Sequence, residues 1–262
     1  MNKEIKRDGQ QATKIFDNRS LENDYATLIP LLTKGLKVLD IGCGTGAISK
    51  GIAEIVGPGG SVIGIDHTQA FINSGTETYQ SCKNLKLIHA DLFSFEPEEK
   101  FDLIVSARVL QWLNNPTEAL IKIKTMLKPG GAVSILDYNH SFLKWHPSPP
   151  KSMQKFYDVF LKWRADSGLD NTMANNLPKH LNGAGFKSVE VIDADETYTR
   201  GENNFKAKVG IWSMVAGASQ TEDEGYISHA DRILAIEEYN NWVDDDAIQM
   251  VMNLKEVRGI NS

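Results

Sequence analysis

Val38-Leu39-Asp40-Ile41-Gly42-Cys43-Gly44-Thr45-Gly46 is a short apolar strand running straight into glycines at alternate positions. Glycine at those positions removes each Cβ where a ligand must approach the backbone closely. With a helix following at 47–56, the unit reads as a strand–loop–helix nucleotide cradle. Its spacing is G-x-G-x-G, not the G-x-G-x-x-G of dinucleotide sites. A second strand, Ser61-Val62-Ile63-Gly64-Ile65-Asp66, ends in an acid 20 residues beyond Gly46. A carboxylate at that strand end can accept both hydroxyls of a ribose.

Outward from this unit, strands and helices alternate. Strands are expected at 36–41, 61–66, 85–89, 101–106 and 132–137. Helices are expected at 47–56, 69–82 and 116–127, the last opened by Pro116. Short apolar strands separated by helices predict a parallel sheet covered on both faces, with its ligand at the strand ends. The alternation then breaks. Residues 139–175 carry the stiff segment His146-Pro147-Ser148-Pro149-Pro150 and a helical stretch with Phe156, Val159, Phe160 and Trp163 at helical spacing. A helix at 176–184 and a strand at 186–198 follow. Residues 200–246 then hold expected helices at 205–215 and 229–242, separated by Thr221-Glu222-Asp223-Glu224, read as a solvated turn. Residues 250–259 are expected to be a final strand, with a helix left open because Met and Lys are good helix formers.

The composition bounds the partners. The chain has 262 residues, 41% of them hydrophobic and 24% charged, and a formal net charge of −6. An acidic balance speaks against a nucleic-acid acceptor, which demands a basic surface. Cys43 and Cys82 have no metal-ligand spacing and form no disulfide framework, so no metal is expected. Met1–Gln11 is polar, without the apolar core of a signal peptide, and no apolar run is long enough to span a bilayer. The expected location is cytoplasmic, away from membranes.

Five segments in order give the chain a family resemblance. V-L-D-I-G-C-G-T-G at 38–46 resembles the first motif of the class I S-adenosylmethionine-dependent methyltransferases. Asp66, Ala90-Asp91-Leu92, Phe101 to Leu113, and Leu127-Lys128-Pro129-Gly130-Gly131 follow at that family's spacing. The likeness is to the small-molecule branch, of the ubiquinone/menaquinone-biosynthesis and trans-aconitate type. It implies a Rossmann-like, doubly wound, mostly parallel seven-stranded sheet with an antiparallel last strand. It also implies one methyltransferase domain over 1–262. Within it, 15–138 is the cofactor core, 139–175 and 200–246 are helical lid insertions, and 186–198 and 250–259 are the last two strands.

The resemblance further implies roles. Gly42, Cys43, Gly44 and Gly46 would cradle the methionine and ribose portion of S-adenosyl-L-methionine, which leaves as S-adenosyl-L-homocysteine. Asp66, with His67 beside it, would hold the ribose; Asp91 and Leu92 would meet the adenine; Asp40 would reach the amino group or order the loop. Ser106, Ala107 and Arg108 would lie below the sulfonium, and Arg19 would pair with the cofactor carboxylate. Cys43 reads better as a small packing side chain than as a nucleophile.

Methyl transfer is an in-line displacement that asks for positioning and a water-poor site. Gln111-Trp112 stands where the family often has His-His or His-Trp, and glutamine takes no proton at neutral pH. His140 is the candidate base, with Tyr138 and His146 as neighbours. Gln111, Trp112, Tyr138, Trp145, Phe160, Trp163 and Trp212 are the candidate acceptor-pocket residues. Trp145, Phe156, Trp163 and Trp212 could instead simply pack the insertions onto the domain. The expected reaction is methylation of a small organic acceptor, with oxygen or nitrogen favoured over carbon. An NAD(P)-dependent oxidoreductase of similar topology and a non-catalytic S-adenosylmethionine binder stay open as alternatives.

Overall fold

The computed structural model describes residues 19–262. The polar reading of Met1–Gln11 and the start of the cofactor core at residue 15 lie outside the described residues. The described chain folds into two compact units. The larger comprises residues up to 137, 173–194 and 255–262; the smaller comprises 138–172 and 195–254.

In the larger unit the elements follow the hydrophobic pattern. A four-residue helix α1 (Leu21–Asp24) and a 3-10 helix (Ala26–Leu31) precede strand β1 (Lys37–Ile41). Then come α2 (Ala47–Val56), β2 (Ser61–Asp66), α3 (Gln69–Thr78), β3 (Leu85–His89), β4 (Phe101–Ala107), α4 (Pro116–Met126) and β5 (Leu127–Tyr138). Asn115 caps α4 by accepting from the Glu118 N–H, and Pro116 at its first position lacks the N–H that no helix could satisfy there. The turn at 128–131 is absorbed into β5, where the register against β4 slips from Phe101↔Leu127 to Leu103↔Ala132.

The seven-stranded sheet runs β3-β2-β1-β4-β5-β10-β7. β7 is Lys187–Asp193, reached through helix α6 (Met173–Gly183), and β10 is Leu254–Ile260, antiparallel to β7. Six strands are parallel and the last is antiparallel. The chain winds outward from β1 to β3 and returns at β4, so β1 and β4 flank the topological switch point. Leu39, Ile41, Ile104, Val133 and Ile135 on the strands pack with Leu120 and Ile123 of α4 and Leu177 of α6. Burying a side chain of this kind contributes roughly 1.5–3 kcal/mol.

The smaller unit holds a three-stranded antiparallel sheet, β6 (Lys144–His146), β9 (Gln249–Met252) and β8 (Glu196–Thr199), in that order. Its helices are α5 (Lys151–Asp166), α7 (Phe205–Val209), α8 (Ile211–Gly217), α9 (Gln220–Asp223) and α10 (His229–Asp245).

Three local expectations change here. The segments 186–198 and 250–259 each form two strands, because the same two stretches pair once in each sheet, β7 with β10 and β8 with β9. Asp195 marks the switch: its Oδ1 accepts from the Leu254 N–H at 2.9 Å and the Asn253 side chain at 2.7 Å. Helix 205–215 breaks at Gly210, where the turn is so tight that a Cβ would stand 2.7 Å from the Lys206 carbonyl. The acidic 221–224 segment falls in a short helix, Gln220–Asp223, with Glu224 as its C-cap, rather than in a solvated turn. Glu222 accepts from Arg232 Nε at 2.6 Å, while Arg232 also donates to the Ala216 carbonyl that ends α8. Among the described residues, no helix is long and apolar enough to cross a membrane.

Candidate active site

The cradle forms because its glycines take backbone angles that other residues avoid. Gly42, Gly44 and Gly46 have φ of 70°, 57° and 84°. Gly42 and Cys43 donate their N–H groups to the Ile65 carbonyl at 2.8 and 3.0 Å, which ties the loop to the end of β2. Two further glycines, outside the motif, let neighbours close on this loop. A Cβ on Gly64 would lie 2.9 Å from Cys43 Sγ, and one on Gly75 would lie 2.1 Å from the Thr45 carbonyl oxygen. The sequence pattern gave no sign of either, since a glycine inside an element is a signal only once its neighbour is known.

A small cleft opens above the loop, lined by Arg19, Asp40, Gly42, Cys43, Ala107, and Ala47 and Ile48 at the start of α2. Asp40 is buried and accepts from Ser49 Oγ at 2.5 Å. Burial pushes its carboxyl up to about 7; the Ser49 hydrogen bond opposes that rise and the nearby Asp66 charge adds to it. The Cys43 thiol is driven well above its ordinary range, mainly by burial and then by Asp40 and Asp66, so it stays protonated and suits packing.

Asp66 has two engaged oxygens. Oδ2 accepts from the Gly44 N–H and Oδ1 from the Thr68 N–H, both at 2.9 Å, so it braces the loop and starts α3 together. His67 beside it is largely exposed, its carbonyl 2.9 Å from His89 Nε2. Asp91 Oδ1 accepts from the N–H groups of Phe93 and Ser94 at 2.9 and 3.2 Å, a turn-capping geometry that leaves Oδ2 for other donors. Leu92 is buried in the core.

At the end of β4, Ser106 Oγ donates to the Ile41 carbonyl at 2.9 Å and locks β4 to β1 at the mouth of the cradle. Arg108 is buried at φ 63°, a strained position for arginine, and its N–H donates to Leu136. Gln111 is buried: its N–H meets Asp137 Oδ2 at 2.9 Å and its amide donates to the Arg108 carbonyl at 3.3 Å. Its backbone N–H thus ties the loop after β4 to the end of β5, a link the sequence did not reveal. Trp112 follows in the same 3-10 turn, Leu110–Trp112, half-buried.

The remaining candidates belong to the smaller unit. Trp212 is surrounded by His140, Trp145, Tyr157 and Phe160, with ring centroids 4.8–6.3 Å away. Phe160, Trp163 and Trp212 are buried, so they build that unit's own core, with Trp163 Nε1 donating to Glu224 at 2.8 Å. Tyr138 and Trp145 are half-buried; Tyr138 stands 5.3 Å from the His140 ring, and Trp145 donates to Tyr239 Oη at 3.0 Å.

His140 is buried, and its imidazole is held well below the usual range, first by desolvation and then by the Arg164 charge. It is therefore neutral at pH 7 and a weaker base than expected from sequence. His146 is exposed. The unfolded chain takes up a proton near the ordinary imidazole value of about 6.5, which folded His140 refuses. Stability present above that pH is lost as pH falls through the lower folded value. Thermal melting from pH 8 to 5 should show a decline below pH about 6.5 that shrinks in His140→Phe. An unchanged pH profile in that variant would remove the histidine from the effect. Among the described residues, no group of three or more His, Cys, Asp or Glu could hold a metal ion.

A doubly wound sheet with a glycine cradle and a strand-end acid at its switch point defines a class I nucleoside-cofactor enzyme fold. Residues 32–207 match the model of the methyltransferase domain family, and the chain belongs to that family. Demethylmenaquinone methyltransferase of Staphylococcus aureus is 36% identical over 176 residues, 60% of this chain and 70% of that protein. An S-adenosylmethionine-dependent methyltransferase of Aquifex aeolicus has the same fold, with a TM-score of 0.55 at 16% identity, covering 95% of this chain and 97% of that one. Phosphoethanolamine N-methyltransferase 2 of Haemonchus contortus, in complex with S-adenosyl-L-methionine, superposes with a TM-score of 0.55 at 19% identity. That match covers 90% of this chain and about half (51%) of that protein. The protein is an S-adenosylmethionine-dependent methyltransferase.

Proposed function

We propose that the β1–β4 cleft binds S-adenosylmethionine with Asp40 toward its ammonium and Arg19 toward its carboxylate. Asp66 takes the ribose hydroxyls, and Asp91 with Leu92 the adenine. The observation that carries this reading is one cleft lined by a cation, a buried carboxylate and the side-chain-free Gly42. A zwitterion beside a ribose needs that combination, and the glycines leave the volume it occupies. When bound, the cofactor supplies an electrophilic methyl on a sulfonium. The chain's own residues orient it, exclude water and hold the acceptor in line.

The acceptor is a small, ring-bearing organic molecule. The relative at 36% identity is named for a demethylmenaquinone substrate, which carries a planar ring. An oxygen or nitrogen lone pair is the attacking group; since Gln111 cannot take a proton, an oxygen acceptor reacts as its oxyanion and an amine as its free base, the proton going to solvent. The enzyme works in the cytoplasm. Labelled methyl transfer across a library of naphthols, catechols, quinols, aromatic amines and aliphatic acids tests this. Mass spectrometry of the product locates the methyl. Turnover confined to aliphatic acids would overturn the aromatic acceptor, and transfer to ring carbon would overturn the lone-pair reading.

Asp40 adds a pH signature. Its carboxyl is half-protonated near pH 7 in the free enzyme, and a bound ammonium favours the ionised form. Affinity for S-adenosylhomocysteine should rise from pH 6 to 8, with proton release seen by calorimetry in buffers of different ionisation enthalpy. Asp40→Asn should flatten that slope; a slope that persists in it would assign the titration to another group.

A further inference from the structure

We propose that the segment from Arg19 to Leu32 is a fixed strap, and that a notch at Gly51 sets where its Arg19 stands at the cleft. Gly51 is then a positioning residue for recognition of the cofactor's amino-acid carboxylate. This inference rests on the cofactor reading above. Gly51 lies in the middle of α2, the helix that starts at the cradle. Leu21 is fully buried, and a Cβ on Gly51 would stand 2.7 Å from Leu21 Cβ. The neighbour at that point is the root of the leucine side chain, so a rotamer change does not relieve it and the strap itself must move.

The strap is braced internally near its start and tied to the sheet at its middle. Ser20 Oγ accepts from the Asn23 N–H at 3.1 Å while Asp24 Oδ2 accepts from the Ser20 N–H at 2.9 Å, a reciprocal cap adjoining Arg19. Further on, Tyr25 Oη meets Ser134 Oγ at 2.7 Å, and Arg258 donates to the Thr27 carbonyl at 2.5 Å. Arg19 lines the same cleft as Asp40. Leu21 stands two residues beyond Arg19, so a shift at the notch is transmitted to the guanidinium over a short, capped stretch of chain.

Two ligands separate positioning from general loosening. S-adenosylhomocysteine carries the amino-acid portion; 5′-methylthioadenosine keeps the adenosine and sulfur and lacks it. Calorimetry on the full chain should show Gly51→Ala weakening S-adenosylhomocysteine about tenfold, the scale of one charged hydrogen bond. Binding of 5′-methylthioadenosine should stay within about twofold. Alanine favours helix over glycine, so α2 itself is not weakened by the change. Arg19→Gln should give the same split, and the double variant should be no worse than Arg19→Gln alone, because both act on one contact. Equal weakening of both ligands by Gly51→Ala would overturn the proposal, as would additive losses in the double variant or no loss at all. Wild-type protein that binds neither ligand would instead overturn the cofactor reading.

Discussion

Gly42→Val is expected to weaken S-adenosylhomocysteine binding by about 100-fold or more, the combined cost of backbone strain and lost cleft volume. Gly42 sits at φ 70°, where a β-branched residue is a genuine outlier. A Cβ there would lie 2.3 Å from Val109 Cγ2, so the loop between β1 and α2 must move. That movement breaks the Gly42 and Cys43 hydrogen bonds to Ile65, and with them the link that keeps the loop against Asp66. Titration calorimetry reads the loss. The melting transition should stay cooperative, because the strain is confined to a loop at the sheet edge. Affinity within threefold of wild type would show that the cofactor does not approach the backbone at this glycine.

The second large effect is on stability. Glu256 on β10 is fully buried and accepts from Ser134 Oγ and Arg258 Nε, both at 2.6 Å. Arg258→Met keeps much of the side-chain volume but removes the cation. A buried carboxylate is then left without its charge partner, a change that costs about 3–5 kcal/mol. It also cuts the link from Arg258 to Thr27. Urea denaturation should show a lowered midpoint with an unchanged slope. The paired change Arg258→Met with Glu256→Leu should recover much of the loss, since replacing both members of a buried pair by apolar groups is close to neutral. A single variant as stable as wild type would mean that solvent reaches Glu256 readily enough to replace the arginine.

Much of the larger unit was legible because its information is local. The alternation of apolar strands with helices needs only periods of two and 3.6 residues. The glycine spacing at 42–46 announces a backbone conformation that other residues resist, and the structure gives all three glycines positive φ. The place of Asp66 at a strand end was legible for the same reason, since it follows from the strand. Its second task, bracing Gly44, appears only in three dimensions.

Other features were hidden where the deciding partner lies far along the chain. The Gln111 backbone N–H donates to Asp137, 26 residues on, and joins two strand ends, a bond that no motif announces. The acidic 221–224 stretch looks like a solvated turn until Arg232 is seen to cap α8 and pair with Glu222. His140 looked like a base near neutrality. Its environment of Phe160, Arg164 and Trp212 comes from two helices far apart in the sequence, and desolvation there lowers its affinity for protons.

The sequence by itself determined the sheet, its winding and the cofactor cradle. Those rest on residue-by-residue backbone preferences and on apolar periodicity, which act over one or two turns of chain. Tertiary structure alone decided the charge at the cleft, the anchoring of the strap and the use of each insertion aromatic. Burial and pairing are properties of a place in space. Asp40 titrates near 7 because the fold removes its water, and Leu21 meets Gly51 because a helix 30 residues away lacks one methyl group.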